Sequence, residues 1–332
     1  MQKFLIIQTA FIGDVVLATA MIEKLHAFYP DAAIDFLVRK GNEALLSNNP
    51  HLRKVLVWDK KKHKIKNLLS LVKAIRKNKY DTVINLQRYF STGFLTSLSG
   101  GTTTIGFDKN PLSFSFTKKL KHKFDLEDGR HEVLRNNDLI EELTDATMNR
   151  PVLYPSAADE MHVAEYKAEA YVTMSTSSVW FTKKYPEEKW VDLLNEYVGK
   201  EKIYLLGSKD NYNECDAIAK RSINKNISIL AGQLTFLQSA ALMRNAVMNF
   251  TNDSAPLHFA SAVNAPVTAI FCSTVPAFGY TPLSNISHIV ETQFHLKCRP
   301  CGLHGYKDCP LGHFKCAHTI TTSQVLNYLH AN

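Results

Sequence analysis

The stretch "FLIIQTAFIGDVVLATAMIEKL", residues 4–25, contains the first strand-to-helix unit of the chain. "FLIIQTA" is an apolar run typical of a buried strand, and "DVVLATAMIEKLHAFYP" has the spacing of an amphipathic helix that ends before Pro30. Gly13 and Asp14 lie at the junction, and the next charged residue is Glu23. Gly13 is expected to supply an unusual backbone conformation. Asp14 is either a helix cap or a reactive carboxylate.

Apolar runs and helix-like segments alternate along the rest of the N-terminal half. The predicted strands include "AIDFLVR", "KVLVWD" and "DTVINLQ", and the predicted helices include "EALLSNN", "NLLSLVKAIRKN" and "HEVLRNNDLIEEL". The pattern loosens over residues 99–116, which are interpreted as loops with one short strand. Residues 149–160, "NRPVLYPSAADE", are polar and contain proline, so they predict a linker near residue 155.

A second alternating series follows that linker. Its predicted strands are "AYVTMSTSS", "KIYLLGS", "ISILAG", "VMNFTND" and "PVTAIFCS", and its predicted helices are "PEEKWVDLLNEYV", "NECDAIAKRS", "TFLQSAALMRNA" and "APLHFASAV". Such alternation is typical of α/β proteins with a parallel sheet covered on both faces. We therefore expect two doubly wound domains, residues 1–155 and 156–332, with the carboxyl ends of their strands facing a shared cleft.

Bulk composition restricts the class of protein. The 332 residues are 45% hydrophobic, which is enough for two cores of ordinary size. The sequence contains no apolar run of the roughly 18 residues that a membrane-spanning helix needs. The N-terminal apolar run is short and is interrupted by Asp14, unlike a secretory signal peptide. These features predict a cytoplasmic protein.

Positive charge is concentrated in two places. The net charge is +8, and residues 51–80 contain eleven lysines and arginines against one acid, Asp59. A second cluster, "KKLKHK", covers residues 118–123. Such patches suit a nucleic acid, an anionic membrane surface or a phosphorylated substrate. The alternative is an ordinary solvated helix face.

The common nucleotide-binding motifs are absent from the sequence. It contains neither G-x-G-x-x-G nor a Walker A motif. It also contains no D-x-D pair, so a metal-bridged diphosphate is not indicated. Four predicted strand-to-helix turns remain as sites for chemistry. The first contains Asp14, whose functional interpretation is a general base in the cleft.

The second turn, "SSVWFTKKYPEEKW", combines hydroxyls with positive charge. Ser177, Ser178 and Thr182 provide the hydroxyls, and Lys183 and Lys184 the charge. A helix start with these groups suits phosphate, whereas the alternative is a solvated loop. In the third turn, "LLGSKDN", Gly207 ends a strand and either makes the turn or borders a ligand.

The fourth turn, "TNDSAPLHFASAV", precedes an almost uncharged helix. Asp253 and Ser254 are of the residue types that cap helices, Pro256 falls in the first turn, and His258 follows. A buried helix start of this kind suits an anion. The alternative is a satisfied cap with a core histidine.

These turns together resemble glycosyltransferase family 9, the ADP-heptose:lipopolysaccharide heptosyltransferases. The resemblance rests on "QTAFIGDVVLATAMIEKL", "HEVLRNNDLI", "KKYPEEKW", "LAGQLTFLQSAALM" and "TNDSAPLHFASAV", which occur in the family's order and spacing. It implies the GT-B architecture, two Rossmann-like domains with the last helix returning to the N-terminal domain. It also implies inverting, metal-independent transfer of heptose from ADP-heptose to the inner core of lipopolysaccharide.

The resemblance also implies roles for individual residues. It makes Asp14 the catalytic base and Lys183 the cation that contacts the donor phosphate and sugar. Further donor-binding residues are Ser177, Ser178, Gly207, Leu234 beside the adenine, Asp253, Ser254 and His258. Ala255 stands where the family pattern has glycine. A GT-B transferase with another nucleotide sugar or acceptor is therefore the alternative enzyme.

The expected acceptor is a phosphorylated Kdo-lipid A type glycolipid at the inner leaflet. The residues predicted to dock it are Lys60, Lys61, Lys62, Lys64, Arg88 and Arg130. This interpretation places the enzyme peripherally at the inner membrane. A nucleic-acid-binding protein is the rival from another class, but no recognised binding motif supports it. Asp14 and Lys183 argue against a catalytically inactive paralogue.

The six cysteines fall into two groups. Cys215 and Cys272 lie in predicted core elements and are expected to be inert. Cys298, Cys301, Cys309 and Cys316 have the spacing C-x2-C-x7-C-x6-C, with His304 and His313 between them. This spacing fits a structural zinc ion or an iron–sulfur cluster. The alternatives are four reduced thiols or disulfides, and a cytoplasmic setting disfavours disulfides. The four cysteines are far in sequence from the donor turns, so no catalytic role is assigned to them.

Overall fold

A computed structural model of the chain describes residues 1–124 and 126–328. The chain divides into two compact units. The first comprises Met1–Phe124 and Arg130–Tyr154, and the second runs from Pro155 and also includes the short stretch that ends at Gly129. Each unit is built around one six-stranded sheet in which every strand pairing is parallel.

The sheet of the first unit has the strand order β3-β2-β1-β4-β5-β6. Its strands are β1 (Lys3–Ile7), β2 (Ala33–Arg39), β3 (Leu52–Trp58), β4 (Thr82–Asn85), β5 (Thr103–Phe107) and β6 (Lys118–Leu120). Strand β1 lies between β2 and β4, with Ile6 opposite Phe36 on one side and Ile84 on the other. The order reverses between β1 and β4, so the two loops that leave these strands diverge and open a crevice.

The helices of the first unit connect these strands. They are α1 (Ile12–Phe28), α2 (Lys64–Asn78), α3 (Phe90–Ser97) and α4 (Glu132–Asn137), with 3-10 turns at Glu43–Leu46, Ser113–Ser115 and Asp138–Leu143. Helix α1 ends two residues before Pro30, which confirms the expected boundary. It is buried almost all round from Val15 to Leu25.

The sheet of the second unit has the same winding, with the order β12-β11-β10-β7-β8-β9. Its strands are β7 (Tyr171–Ser175), β8 (Lys202–Leu206), β9 (Ile227–Ile229), β10 (Asn249–Asn252), β11 (Val267–Phe271) and β12 (Ser287–Glu291). The order reverses between β7 and β10, where Thr173 lies opposite Asn249. The expected α/β class with two doubly wound parallel sheets is confirmed.

The helices of the second unit are mostly short. They are α5 (Ala157–His162), α6 (Glu187–Glu196), α7 (Tyr212–Arg221), α8 (Phe236–Arg244), α9 (Ala255–Ala262), α10 (Lys315–His318) and α11 (Thr322–Leu326), with 3-10 turns at Ala164–Lys167, Phe181–Lys183, Lys209–Asn211 and Pro276–Phe278. Helix α11 packs against α6, where the Thr322 hydroxyl bonds the Glu196 carboxylate. The expected return of the last helix to the N-terminal domain stays a prediction.

The short strand expected within residues 99–116 is confirmed as β5. Helix α3 and strands β6 and β12 were not predicted from the sequence. Helix α3, "FSTGFLTS", has weak helix formers, but its hydroxyls bond carbonyls one turn back, as Thr96 Oγ1 does to Thr92 O at 2.8 Å. Its Gly93 leaves space for the side chain of Asn110, which a Cβ at that position would strike.

Two expected helices differ in form. "EALLSNN" contains a 3-10 turn, and "HEVLRNNDLIEEL" divides into α4 and a 3-10 turn. Across residues 1–124 and 126–328, no helix combines the length and the apolar character needed to cross a bilayer.

Candidate functional site

Lys183 and Asp253 meet at the switch point of the second sheet. Lys183 ends the 3-10 turn that follows β7, and Asp253 comes directly after β10. The Lys183 Nζ lies 2.7 Å from Asp253 Oδ2, and the two side chains are 15% and 6% exposed. The structure therefore unites the cation of the second predicted turn with the carboxylate of the fourth.

The Asp253 carboxylate is not a helix cap. Its Oδ2 also accepts a hydrogen bond of 2.6 Å from Thr274 Oγ1, at the end of β11. Ser254 occupies the N-cap position of α9, but its side chain makes no capping bond, and its Oγ lies 3.4 Å from Asn252 O. The satisfied cap considered as an alternative is therefore wrong, because the carboxylate is directed at Lys183.

Asn252 connects the two loops, and sequence reasoning missed it. Its Nδ2 donates to Thr176 O at 2.7 Å, and its Oδ1 accepts from Tyr185 N at 2.8 Å. These bonds hold both ends of the loop that contains Lys183. A fully buried amide that ends a strand, directly before the predicted Asp253, was the available signal.

Hydroxyl and imidazole side chains lie close to this pair in the sequence. Ser177 and Ser178 follow β7 and are half-buried, and His258 is buried in the first turn of α9. The Ser177 Oγ is buried without a hydrogen-bond partner in the described part of the chain. A hydroxyl in that state favours an external polar ligand, because a buried polar atom is normally paired.

Gly207 and Leu234 belong to two neighbouring turns. Gly207 O accepts a hydrogen bond of 2.9 Å from the N–H of Gly232, which leads to half-buried Leu234. Gly232 has φ +77°, and a Cβ there would lie 2.7 Å from Lys209 Cα, so only glycine fits this close approach. These two turns form the edge of the sheet next to the Lys183 turn, since β8 pairs with both β7 and β9.

Asp14 lies in the corresponding position of the first unit. Helix α1 begins at Ile12 with Phe11 as its N-cap, so Asp14 is the third helical residue and its carboxylate is in the first turn. The interpretation as an N-cap is wrong, and so is the expected unusual backbone at Gly13, which lies inside the helix without a positive φ. A carboxylate there is favoured by the helix dipole.

Three strand ends hold the loop before Asp14. Lys60 Nζ donates to Thr9 O at 3.0 Å and lies 3.1 Å from Thr9 Oγ1. Asn42 Nδ2 donates to Ala10 O at 3.0 Å, and Gln87 donates to Gln8. Burial, reinforced by the positive charges of Arg39 and Lys64, lowers the pKa of Lys60 to about 8. Lys60 is therefore a structural cation as well as an acceptor candidate.

The other acceptor candidates differ in their surroundings. Lys61, Lys62 and Lys64 are exposed, and Arg88 is exposed with its guanidinium 5.7 Å from the Tyr89 ring. Arg130 is paired with Asp138, so much of its charge is already neutralised. Sequence reasoning did not foresee this pairing.

Helix α2 extends the basic surface beyond these residues. It contains no acidic residue, and its exposed positions include Ile65 (74%) and Leu69 (54%) among the lysines. Its first turn contains Lys64 and Lys66 and no acid. Cations at a helix N-terminus oppose the helix dipole, so helix stability does not account for this arrangement. Lys118, in the second basic cluster, instead pairs with Glu142 at 2.5 Å.

The cysteines form no disulfides. Cys215 and Cys272 are fully buried, as expected, and burial raises the pKa of the Cys215 thiol to about 11. Cys298, Cys301, Cys309, Cys316 and His313 line one cavity of about 250 Å³. Burial raises the pKa of Cys316 to about 12. Within residues 1–124 and 126–328, no group of three or more potential ligands has an arrangement that holds a metal ion.

The cysteine cavity is close to the Lys183 turn in space, although far from it in sequence. Thr182, which directly precedes Lys183, lines the same cavity. Its N–H donates to Tyr306 O at 3.1 Å. The segment that carries the four cysteines therefore borders the Lys183 turn.

Comparison with known proteins identifies the family. The model of glycosyltransferase family 9 (heptosyltransferase) matches residues 68–306. Lipopolysaccharide heptosyltransferase 3 of Escherichia coli is 30% identical over 290 residues, which cover 83% of this chain and 84% of that protein. Each match extends over both units.

Solved structures share the fold. A family 9 glycosyltransferase from Veillonella parvula superposes with a TM-score of 0.86 at 21% identity, covering 100% of this chain and 98% of that one. The ADP-heptose lipopolysaccharide heptosyltransferase II of E. coli gives a TM-score of 0.81 at 20% identity, with the same coverage. The two six-stranded parallel sheets thus correspond to the GT-B architecture. On the family match and the 30% identity, the chain belongs to glycosyltransferase family 9, the heptosyltransferases, and is a glycosyl-transferring enzyme.

Proposed function

We propose that this enzyme transfers heptose from ADP-heptose to a sugar hydroxyl of the lipopolysaccharide inner core, with inversion and without a catalytic metal. The lipopolysaccharide heptosyltransferases among its relatives support the reaction and the substrates. The single observation that carries the proposal is the Lys183–Asp253 pair at the switch point of the second sheet. In this proposal the domain expected from the sequence at residues 156–332 binds the donor, and the domain expected at residues 1–155 binds the acceptor.

Lys183 is the cation of the donor site. Its ammonium compensates the negative charge that develops on the ADP diphosphate when the glycosidic bond breaks. Asp253 Oδ2 holds that ammonium in place, and Thr274 fixes Asp253 by donating a hydrogen bond to the same oxygen. The hydroxyls of Ser177 and Ser254 supply further hydrogen bonds to phosphate, and His258 completes this part of the site. The turns at Gly207 and Leu234 receive the adenosine.

Asp14 is the general base in this mechanism. The acceptor oxygen forms a bond to the anomeric carbon while the bond from that carbon to ADP breaks, and Asp14 takes the hydroxyl proton. One carboxylate suffices because the acceptor attacks from the face opposite the leaving group, which inverts the anomeric configuration. The transition state has oxocarbenium character, and Lys183 lowers its energy through the departing diphosphate.

The basic surface of the first unit binds the acceptor. A phosphorylated Kdo-lipid A type glycolipid is anionic, and Lys60, Lys61, Lys62, Lys64 and Arg88 present positive charge next to the loop before Asp14. Arg130 contributes less, because Asp138 neutralises it. The exposed Ile65 and Leu69 among the lysines of α2 fit a peripheral position at the cytoplasmic leaflet of the inner membrane.

Ala255 favours a second candidate, transfer from a different nucleotide sugar. Ala255 and Pro256 are the first two residues of α9, and Pro256 has no N–H to offer a phosphate. A mass-spectrometric screen of nucleotide sugars tests donor identity. Turnover with ADP-heptose alone supports the first proposal, and turnover with another nucleotide sugar alone supports the second.

We expect Asp14→Ala to abolish transfer while leaving ADP affinity within about twofold of the wild type. The reason is that Asp14 acts on the acceptor proton and the donor contacts belong to the other unit. Transfer rates with saturating substrates and calorimetric titration with ADP measure the two effects. A large loss of ADP affinity would instead assign Asp14 a structural role.

We expect Lys183→Ala to lower the transfer rate on the order of 100-fold and to weaken ADP binding, as loss of one charge-stabilising donor does. Lys184→Ala is the matched control, because its ammonium is 2.8 Å from Glu214 and not at Asp253. The control should keep nearly normal kinetics. Equal effects of the two substitutions would contradict the specific role of Lys183.

We expect simultaneous replacement of Lys61, Lys62 and Lys64 by Glu to raise the acceptor KM, mainly at low salt, because exposed charges are screened by ions. The control replaces Lys200, Lys220 and Lys225, exposed lysines of the second unit, with the same change in net charge. An unchanged KM would place the acceptor elsewhere. Tight binding of duplex DNA by the wild type, without ADP binding, would favour the nucleic-acid rival.

We expect EDTA treatment to leave the transfer rate unchanged, because Lys183 supplies the charge that a divalent ion supplies in other transferases. We also propose that any metal at Cys298, Cys301, Cys309 and Cys316 is structural; thiolates suit zinc. Elemental analysis of the purified protein measures whether a metal is bound. Activity lost with EDTA and restored by Mg²⁺ would contradict metal-independent catalysis, and absence of bound metal would leave the four thiols as the functional state.

A further inference from the structure

Thr182 connects the donor turn to the cysteine segment, residues 298–316. Its side chain is fully buried in the short 3-10 turn Phe181–Lys183. The Tyr306 N–H donates to Thr182 Oγ1 at 2.8 Å, and the Thr182 N–H donates to Tyr306 O at 3.1 Å. This reciprocal pair joins residues that are 124 positions apart. The residue directly before Lys183 is therefore held by the cysteine segment.

Ser273, which follows β11, also forms hydrogen bonds with Thr182. Its N–H donates to Thr182 O at 3.2 Å, and its hydroxyl donates to Thr182 Oγ1 at 3.0 Å. Ser273 O in turn accepts from Cys301 N at 2.9 Å. Every backbone and side-chain polar atom of Thr182 thus has a partner at the end of β11 or on the cysteine segment.

Gly305 contacts the side chain of Lys183 itself. It has φ +76°, and a Cβ built on it would lie 2.9 Å from Thr182 Oγ1 and 3.0 Å from Lys183 Cγ. The aliphatic stem of Lys183 therefore packs against the bare backbone of Gly305. A lysine side chain has several free rotamers, so a support for its stem restricts where its ammonium points.

We infer that the cysteine segment positions the donor lysine, with Thr182 and Gly305 as the positioning residues. The inference rests on the proposed donor role of Lys183. The segment fixes the backbone before Lys183 and the stem of its side chain, and Asp253 fixes its ammonium. Thr182 also lines the cavity of the four cysteines.

Gly305→Ala and Gly312→Ala test the inference as a matched pair. Both glycines belong to the cysteine segment and have positive φ, +76° and +68°, so an added methyl group strains the backbone similarly. A Cβ at Gly312 meets nothing within 4 Å, whereas one at Gly305 displaces Thr182 and Lys183. We expect Gly305→Ala to weaken ADP binding and raise the donor KM about tenfold or more, with an unchanged acceptor KM. Gly312→Ala should stay within about twofold of the wild type.

Thr182→Val and Thr182→Ser provide a second test, which decides the matter if Gly305→Ala does not fold. Valine removes the oxygen that accepts from Tyr306 and Ser273, and serine keeps it. We expect weak ADP binding for Thr182→Val and near-normal binding for Thr182→Ser at similar thermal stability. Wild-type ADP binding and donor KM in Thr182→Val would overturn the inference, as would equal effects of the two glycine substitutions.

Lys183→Ala separates failure of the inference from failure of the proposed function. If this variant binds ADP and turns over normally, the donor role of Lys183 is wrong and the positioning role falls with it. If Lys183→Ala is defective while Gly305→Ala and Thr182→Val are normal, only the positioning role is wrong.

Discussion

The parallel pairing of β1 with β4 and of β7 with β10 is the constraint on which the rest of the structure depends. At each of these pairs the winding of the sheet changes direction, so neighbouring loops leave toward opposite sides and backbone groups at the strand ends stay accessible. Asp14 follows β1 in the first unit. Lys183 and Asp253 follow β7 and β10 in the second. The same architectural feature, used twice, therefore creates both candidate sites.

The Lys183–Asp253 pair shows why an acidic residue lies where an anion is expected to bind. An isolated carboxylate would repel a diphosphate, but this one contacts Lys183 and Thr274 through a single oxygen. Buried ion pairs of this kind contribute little to net stability, because desolvation offsets the Coulomb attraction. What the pair provides is geometry, since a flexible ammonium is held at one point. Asn252 fixes the backbone on both sides of that point.

Helix α2 and the cysteine segment each depart from what stability alone would favour. Lysines fill the first turn of α2, where acids are preferred, and Ile65 and Leu69 are exposed beside them. The cysteine segment places Gly305, a glycine of positive φ, and the backbone of Tyr306 against the buried Thr182 of the Lys183 turn. Local rules that are broken without a structural gain are typical of functional surfaces. In this enzyme one such candidate surface lies in each unit.

The sequence by itself determined the winding of the two sheets and the residues at the main turns, because strand and helix periods and strand-end positions are local properties. Asp14, Lys183 and Asp253 were predicted as candidate residues in this way. It missed α3, whose Ser- and Thr-rich sequence becomes helical through burial and side-chain bonds. Only the tertiary structure decided that Asp253 pairs with Lys183 rather than capping α9, and that Thr182 meets Tyr306. These pairs are 70 and 124 positions apart in the chain. No local pattern of the sequence connects residues at such distances, so only the folded structure shows that they meet.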